Sequence, residues 1–479
     1  MQGVPLKKKY KYVVIGAGIS GLTTACELLK AHPGEVLVLE REAEAGGMAR
    51  TLSRQGYQYD LGSHRIHKDI GEEELCYLQQ LMGPELMVRQ RAGKLRFGTK
   101  HLDYPIETLQ FFSALGIKEL WEFVVSWARR KSGQELSGDA LAGSDTYEGY
   151  LRRQVGDRVY RLFYEPYARK VFGLDPALIS VLAAKKRVSM LCPLAFLKKI
   201  LRHLWGGQSS GEFYYFSHGI GSLAKALEQK IVEHQGAIMT EARELGISES
   251  SGPREISFAL PDGERHTVAY DALVSTMPID ALCRKLGFQA DVERRMWRGL
   301  RLVFLHLSKP PALTGETFYY PESKYPFGRV SIPQRFSSLL QPDGFPVSYI
   351  CEVPCSPGDP WWEMPDKDIG QICFKALHEA ELVSPETTMD ESLNFTWLMP
   401  EVYAVYFLGW EKSVQTMLDF LALKNPYVYS SGRLGLFLHC NMDHAMMMGR
   451  ELASGLLNGM PAKDWYARSP EWHQMKVRD

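Results

Sequence analysis

Gly16-Ala17-Gly18-Ile19-Ser20-Gly21 and Glu40 have the types and spacing to hold a dinucleotide. In a GxGxxG turn the first glycine permits a tight exit from a strand, and the second lets the main chain approach a pyrophosphate. The third lets the next helix pack close to the strand. The phosphates then sit on free N–H groups at the helix start, so Ile19 and Ser20 face the same ligand. Glu40 follows Gly21 by 19 residues, where a carboxylate can accept hydrogen bonds from ribose hydroxyls. These roles require a strand before the turn, a helix after it and a second strand ending at the acid. Tyr12–Ile15 is a short β-type run, a helical stretch follows the turn, and Val36–Leu39 is apolar up to Glu40.

A second glycine cluster, Arg41-Glu42-Ala43-Glu44-Ala45-Gly46-Gly47-Met48-Ala49-Arg50-Thr51, separates a flavin from a nicotinamide cofactor. Gly46 and Gly47 permit close approach to an extended FAD, and Arg50 can reach its phosphates. In these residues the chain resembles the FAD superfamily that includes amine oxidases, protoporphyrinogen oxidase and UDP-galactopyranose mutase. FAD is the expected cofactor.

The chain has 479 residues, long enough for two cores, since single cores stop growing at about 250–300 residues. Its 56 basic and 56 acidic residues cancel, so no global field favours nucleic acid. A charged substrate must be held locally. The eight cysteines include no CxxC pair and have no His partner at zinc-ligand spacing, so no metal centre is expected and reduced thiols fit a cytoplasmic protein. The apolar run behind Lys7-Lys8-Lys9 is too short for a signal peptide, and no run of about 18–20 apolar residues suggests a spanning helix. Phe111–Arg130 and Leu191–Trp205 read as amphipathic helices with basic residues. Such helices can lie on a membrane, but ordinary packing with a solvated charged face is favoured over peripheral contact.

The resemblance extends along nearly the whole chain. Gly56-Tyr57-Gln58-Tyr59-Asp60-Leu61-Gly62-Ser63-His64-Arg65 resembles the segment that passes the isoalloxazine ring in UDP-galactopyranose mutases, with Ser63 where a second glycine is usual. Tyr104-Pro105, Tyr167-Ala168-Arg169-Lys170-Val171-Phe172-Gly173, His218-Gly219-Ile220-Gly221 and Val274-Ser275-Thr276-Met277-Pro278 follow in the family order. Gly432-Arg433-Leu434-Gly435 and Asn441-Met442-Asp443-His444-Ala445 resemble the closing FAD motif. The resemblance thus implies a cofactor set: Gly16, Gly18, Ile19, Ser20 and Gly21; Glu40 and Arg41; Gly46, Gly47, Met48, Ala49 and Arg50. It adds Gly62, Ser63, His64, Ala242, Thr276, Gly432, Arg433, Asn441, Met442 and Ala445.

For the reaction the resemblance singles out His64, Arg187, Arg329, Tyr319, Tyr403, Tyr406 and His439. Arg187 and Arg329 fall where the mutases grip a diphosphate, a task suited to a guanidinium fork. His439 stands where the mutases carry Tyr. Ile106-Glu107 replaces their Phe and Gln, and an ionised Glu cannot donate as a Gln amide does. A different substrate is therefore expected.

The expected fold is α/β: a Rossmann-like FAD-binding domain of the GR2 flavoprotein type, 1–95, 211–278 and 395–479, with a discontinuous α+β substrate domain, 96–210 and 279–394. Phe213–Tyr215, Ala237–Thr240 and Asp271–Ser275 are expected to return to the nucleotide-binding sheet. The expected activity is an FAD-dependent oxidoreductase passing hydride from a small, anionic molecule to flavin N5. The alternative is a non-redox sugar-nucleotide mutase that uses reduced FAD as nucleophile.

Overall fold

The computed structural model describes residues 6–104, 118, 121–122, 125, 145–187, 211–248, 252–289, 296–342, 344 and 346–477, without the Arg187 side chain. Most of 111–130, all of 191–205, and residues 105–107 lie outside the described residues. Among the described residues no helix is long and apolar enough to cross a membrane.

The strand Lys9–Ile15 leads into the helix Ile19–Ala31 and then the strand Val36–Leu39. The two strands are parallel, with Ile15 opposite Leu39. On its other side Lys9–Ile15 pairs in parallel with Arg265–Ser275, Ile15 opposite Ser275. Ala237–Met239 and Val428–Ser430 add further parallel strands, and Glu255–Ala259 and Arg243–Ile247 complete the sheet antiparallel. Val13, Val14 and all of Val36–Leu39 are buried, as expected where helices cover both faces of a parallel sheet. The helix Ile19–Ala31 packs against the helices Ser222–Glu233 and Met442–Leu457. Gly21 makes the close approach to the strand, for a Cβ there would collide with the Gly16 carbonyl oxygen.

The second sheet runs in the order Phe395–Ala404, Trp297–Leu307, Val347–Cys355, Arg329–Ser331, Thr317–Tyr319, Gly93–Phe97, Lys100–Tyr104. Side chains alternate across a strand, and Trp297–Leu307 shows it. Val303, Leu305 and Leu307 join a core with Ile369, Cys373 and Leu377 of the helix Asp366–Glu379, whereas Leu300, Leu302 and Phe304 meet Tyr57, Tyr59 and Leu61 on the opposite face. The hairpin Thr51–Arg54/Tyr57–Asp60 therefore lays its aromatic face on the second sheet. Tyr59 Oη lies 2.6 Å from His306 Nε2, Phe304 stacks on Phe395 at 4.2 Å, and the chain leaves this anchor directly into Gly62-Ser63-His64.

Two expectations are corrected. Phe213–Tyr215 does not return to the nucleotide-binding sheet; Glu212–Phe216 joins a separate sheet between Ile66–His67 and Leu86–Gln90. A continuous aromatic run favours a strand but leaves its partner open. The expected divisions at 95 and 395 also cut differently from the sheets, because Gly93–Phe97 and Phe395–Ala404 are hydrogen-bonded within the second one.

Burial lowers the His306 pKa, so the ring is held neutral with Tyr59 as partner. Tyr59→Phe removes that partner and leaves a buried polar atom unmet, at a cost of about 1–3 kcal/mol. A lowered melting midpoint of the FAD-loaded variant is expected. An unchanged midpoint would mean that the hydrogen bond does not anchor the hairpin.

Candidate active site

A continuous cavity of about 980 Å³ is lined by residues of both sheets. Its nucleotide-side wall is built at the carboxyl ends of the parallel strands, where open α/β sheets place their ligands. Gly16, Gly18, Ile19 and Ser20 line it there, with Glu40, Arg41, Gly46, Gly47, Met48, Ala49, Arg50, Ala242 and Thr276. Glu40 is buried, and both its oxygens already accept main-chain N–H groups: Oε2 from Ala17 at 2.7 Å and Oε1 from Glu42 at 2.9 Å. The carboxylate is thereby fixed in orientation while each oxygen keeps accepting capacity. Gly432, Arg433, Asn441, Met442 and Ala445 close the wall. Asn441 and His444 form a reciprocal capping box at the start of the helix Met442–Leu457, a terminus whose partial positive charge favours an anion.

The residues present fit FAD. A Cβ on Gly18 would meet nothing within 4 Å, so the main chain is open to a ligand at the turn. The guanidinium groups around the cavity are otherwise engaged. Arg41 pairs with Glu42, Arg65 with Glu316, Arg243 with Glu241 and Arg329 with Glu352. Arg433 donates to the Val402 and Cys440 carbonyls. Arg50 differs: it donates to Glu44 O at 3.4 Å and sits over the Trp397 ring, but its buried Nε has no partner among the described residues. An unmet buried guanidinium N–H beside a glycine cradle suits a pyrophosphate.

The remaining wall is formed by Ser63, His64, Tyr167, Val171, Tyr319, Arg329, Glu352, Trp397, Tyr403 and His439, among others. Arg329 and Glu352 sit opposite each other on adjacent antiparallel strands. Arg329 Nε donates to Oε1 and Nη2 to Oε2, both at 2.8 Å, the paired fork geometry of a strong charge-assisted contact. Glu352 Oε1 also accepts the Ser63 N–H at 3.0 Å. His64 Nε2 lies 3.0 Å from the Leu61 carbonyl oxygen, which fixes the proton on Nε2 by geometry. Burial, and next the Arg329 charge, push the His64 pKa down to about 4, so the imidazole is neutral at pH 7. The Tyr319 ring packs on Tyr104 at 4.4 Å, and the Arg433 guanidinium lies over Tyr403 at 5.7 Å.

Several expected site residues lie elsewhere. Tyr406 is buried among Trp410, Phe437 and His473, and its hydroxyl accepts the His439 N–H at 2.8 Å. The strand ends at Ala404, and beyond it Tyr406 holds His439 from behind. Gly21 serves helix packing, and Gly62 abuts Glu352, whose Oε1 would lie 3.2 Å from an added Cβ. Arg187 ends the helix Val181–Arg187, and its side chain lies outside the described residues. Sequence reasoning missed Glu352, Trp397, Tyr167 and Val171. For Glu352 a signal existed: a single acid within VSYICEVPC, a strand buried throughout, requires a partner. Trp397 carries no comparable mark.

A family model described as flavin containing amine oxidoreductase matches residues 19–396. Coproporphyrinogen III oxidase of Staphylococcus aureus is 24% identical over 241 residues, 46% of this chain and 50% of that protein. The mitochondrial protoporphyrinogen oxidase of Nicotiana tabacum is 28% identical over 183 residues, 36% of this chain and 34% of that protein. The chain thus matches half or less of the length of these curated relatives. Among solved structures, reduced UDP-galactopyranose mutase superposes with a TM-score of 0.79 at 21% identity, covering 98% of both chains. Putrescine oxidase bound to putrescine gives 0.57 at 15% identity, covering 94% of this chain and 99% of that one. At these identities the likeness is one of fold.

Glu40→Ala should weaken FAD by roughly ten-fold or more, since charge-assisted hydrogen bonds contribute about 1.5–3 kcal/mol each. Dialysis followed by the flavin-to-protein absorbance ratio reads this directly. A variant that retains FAD like the parent would remove Glu40 from the nucleotide site.

Proposed function

We propose that this chain, which belongs to the flavin containing amine oxidoreductase family, is an FAD-dependent oxidoreductase for a small molecule carrying at most one negative charge. When bound, FAD supplies the two-electron acceptor, with hydride arriving at N5. The protein's share is placement and exclusion of water. Glu40, Arg50 and the two glycine turns hold the nucleotide half. Tyr319, Tyr403, Trp397 and Tyr167 offer aromatic walls whose hydroxyl and indole groups can orient a polar substituent. His64, neutral at working pH, offers an uncharged imidazole fixed to the Leu61 carbonyl. In this reading the parallel sheet serves the cofactor and the second sheet the substrate.

One observation carries the choice of substrate charge: Glu352 accepts from Nε and Nη2 of Arg329 and offsets its charge. The expected diphosphate grip at Arg329 is answered by a carboxylate of the same chain, and the pair leaves no net charge at that wall. A non-redox sugar-nucleotide isomerase is the second reading, favoured by the superposition on UDP-galactopyranose mutase over nearly the full chain. That reading needs cationic side chains whose charge is left for a diphosphate, and the charge of Arg329 is offset by Glu352.

Anaerobic addition of neutral and singly charged amines and reduced heterocycles to the oxidised protein tests the assignment. A substrate should bleach the flavin band once per site, and an added acceptor should restore it. Product formed only after dithionite reduction, with unchanged mass, would establish the isomerase instead.

A further inference from the structure

The Ser63 hydroxyl is engaged with the second sheet. Its Oγ lies 3.0 Å from Thr317 Oγ1, and Arg65 Nη2 donates to both oxygens, at 3.0 Å to Ser63 and 2.9 Å to Thr317. Nη2 carries two protons, one for each oxygen, so the hydroxyls are left to bond to each other, one donating. Arg65 is held in turn. Nη1 donates to Glu316 Oε1 at 3.1 Å, and the guanidinium lies 5.2 and 5.8 Å from the Phe213 and Phe336 ring centres. Glu316 Oε2 accepts the Ala92 N–H at 2.8 Å. Ser63, Thr317 and Glu316 are all buried, where an unmet hydroxyl is costly and a satisfied network is rigid.

The position of this network gives it a consequence. Ser63 precedes His64, and Thr317 begins the short strand that ends at Tyr319; His64 and Tyr319 both line the cavity. We propose that Ser63 is a positioning residue whose hydroxyl, bridged by Arg65 to Thr317, fixes the loop Leu61–Arg65 to the substrate-side sheet and so sets how His64 meets the flavin. The inference rests on the assignment of this cavity to FAD but not on the choice of redox or isomerase chemistry. Ser63 thereby acts through its neighbours, and Thr317, Arg65 and Glu316 form the support.

The test uses the FAD-loaded protein with Ser63→Ala, Thr317→Val, the double variant and Thr317→Ser. Amide hydrogen exchange over 61–65 should rise about ten-fold in either of the first two and no further in the double. Thr317→Ser, which keeps the hydroxyl, should stay within about two-fold of the parent. The oxidised–reduced equilibrium of the flavin against a reference dye should shift at least about three-fold in the same variants. Parent-like exchange in Ser63→Ala, or a change in Ser63→Ala that Thr317→Val does not reproduce, would overturn the proposal. So would a loosened loop with an unmoved dye equilibrium. Neither readout requires turnover, so failure here is separable from failure of the proposed reaction.

Discussion

The Arg329–Glu352 pair is the contact on which the cavity's substrate side depends. Glu352 is 3% exposed in the middle of a strand buried throughout, and a carboxylate there is tolerable only with its charge and lone pairs met. Arg329 meets the charge from the adjacent strand, and the Ser63 amide takes a further lone pair. Removing one partner of such a buried pair commonly costs about 3–5 kcal/mol, because the other charge is left unmet. The pair is thus a constraint on the loop Leu61–Arg65 as much as a feature of the wall.

From that constraint the rest follows in steps. The aromatic face of the hairpin Thr51–Arg54/Tyr57–Asp60 lies on the second sheet through Tyr57 and Tyr59, and the chain then passes Glu352 at Gly62 and Ser63. His64 emerges with its Nε2 proton committed to Leu61. On the nucleotide side the ordering is mostly main chain: glycine turns, parallel strand ends and a capped helix. The two sides make different demands on sequence. A cofactor gripped by main chain asks for glycines at fixed spacing, whereas a small-molecule pocket asks for side chains from distant strands.

This difference explains what could be read in advance. The places of Gly16, Gly18, Gly21, Glu40 and Arg50 were legible because they follow from local spacing, and the strand–helix–strand order around them is a short-range pattern. The partner of Arg329 was not legible, since the two residues meet through strand pairing that local sequence does not specify. The same holds for Phe213–Tyr215, whose aromatic run describes a strand in any sheet, and for Phe395–Ala404, which precedes the closing FAD motif in sequence yet pairs with Trp297–Leu307. Tyr406, singled out by resemblance alone, lies past the end of the strand at Ala404 with its side chain in the core.

In the proposed function the Arg329 charge is offset by Glu352 and the pocket takes a weakly charged molecule rather than a diphosphate, a distinction that calorimetric titration of the FAD-loaded protein with UDP measures directly. With Glu352 offsetting the Arg329 charge, no saturable binding is expected in the micromolar range. Saturable micromolar binding that weakens on Arg329→Lys would contradict it, and would make Arg329 a phosphate ligand.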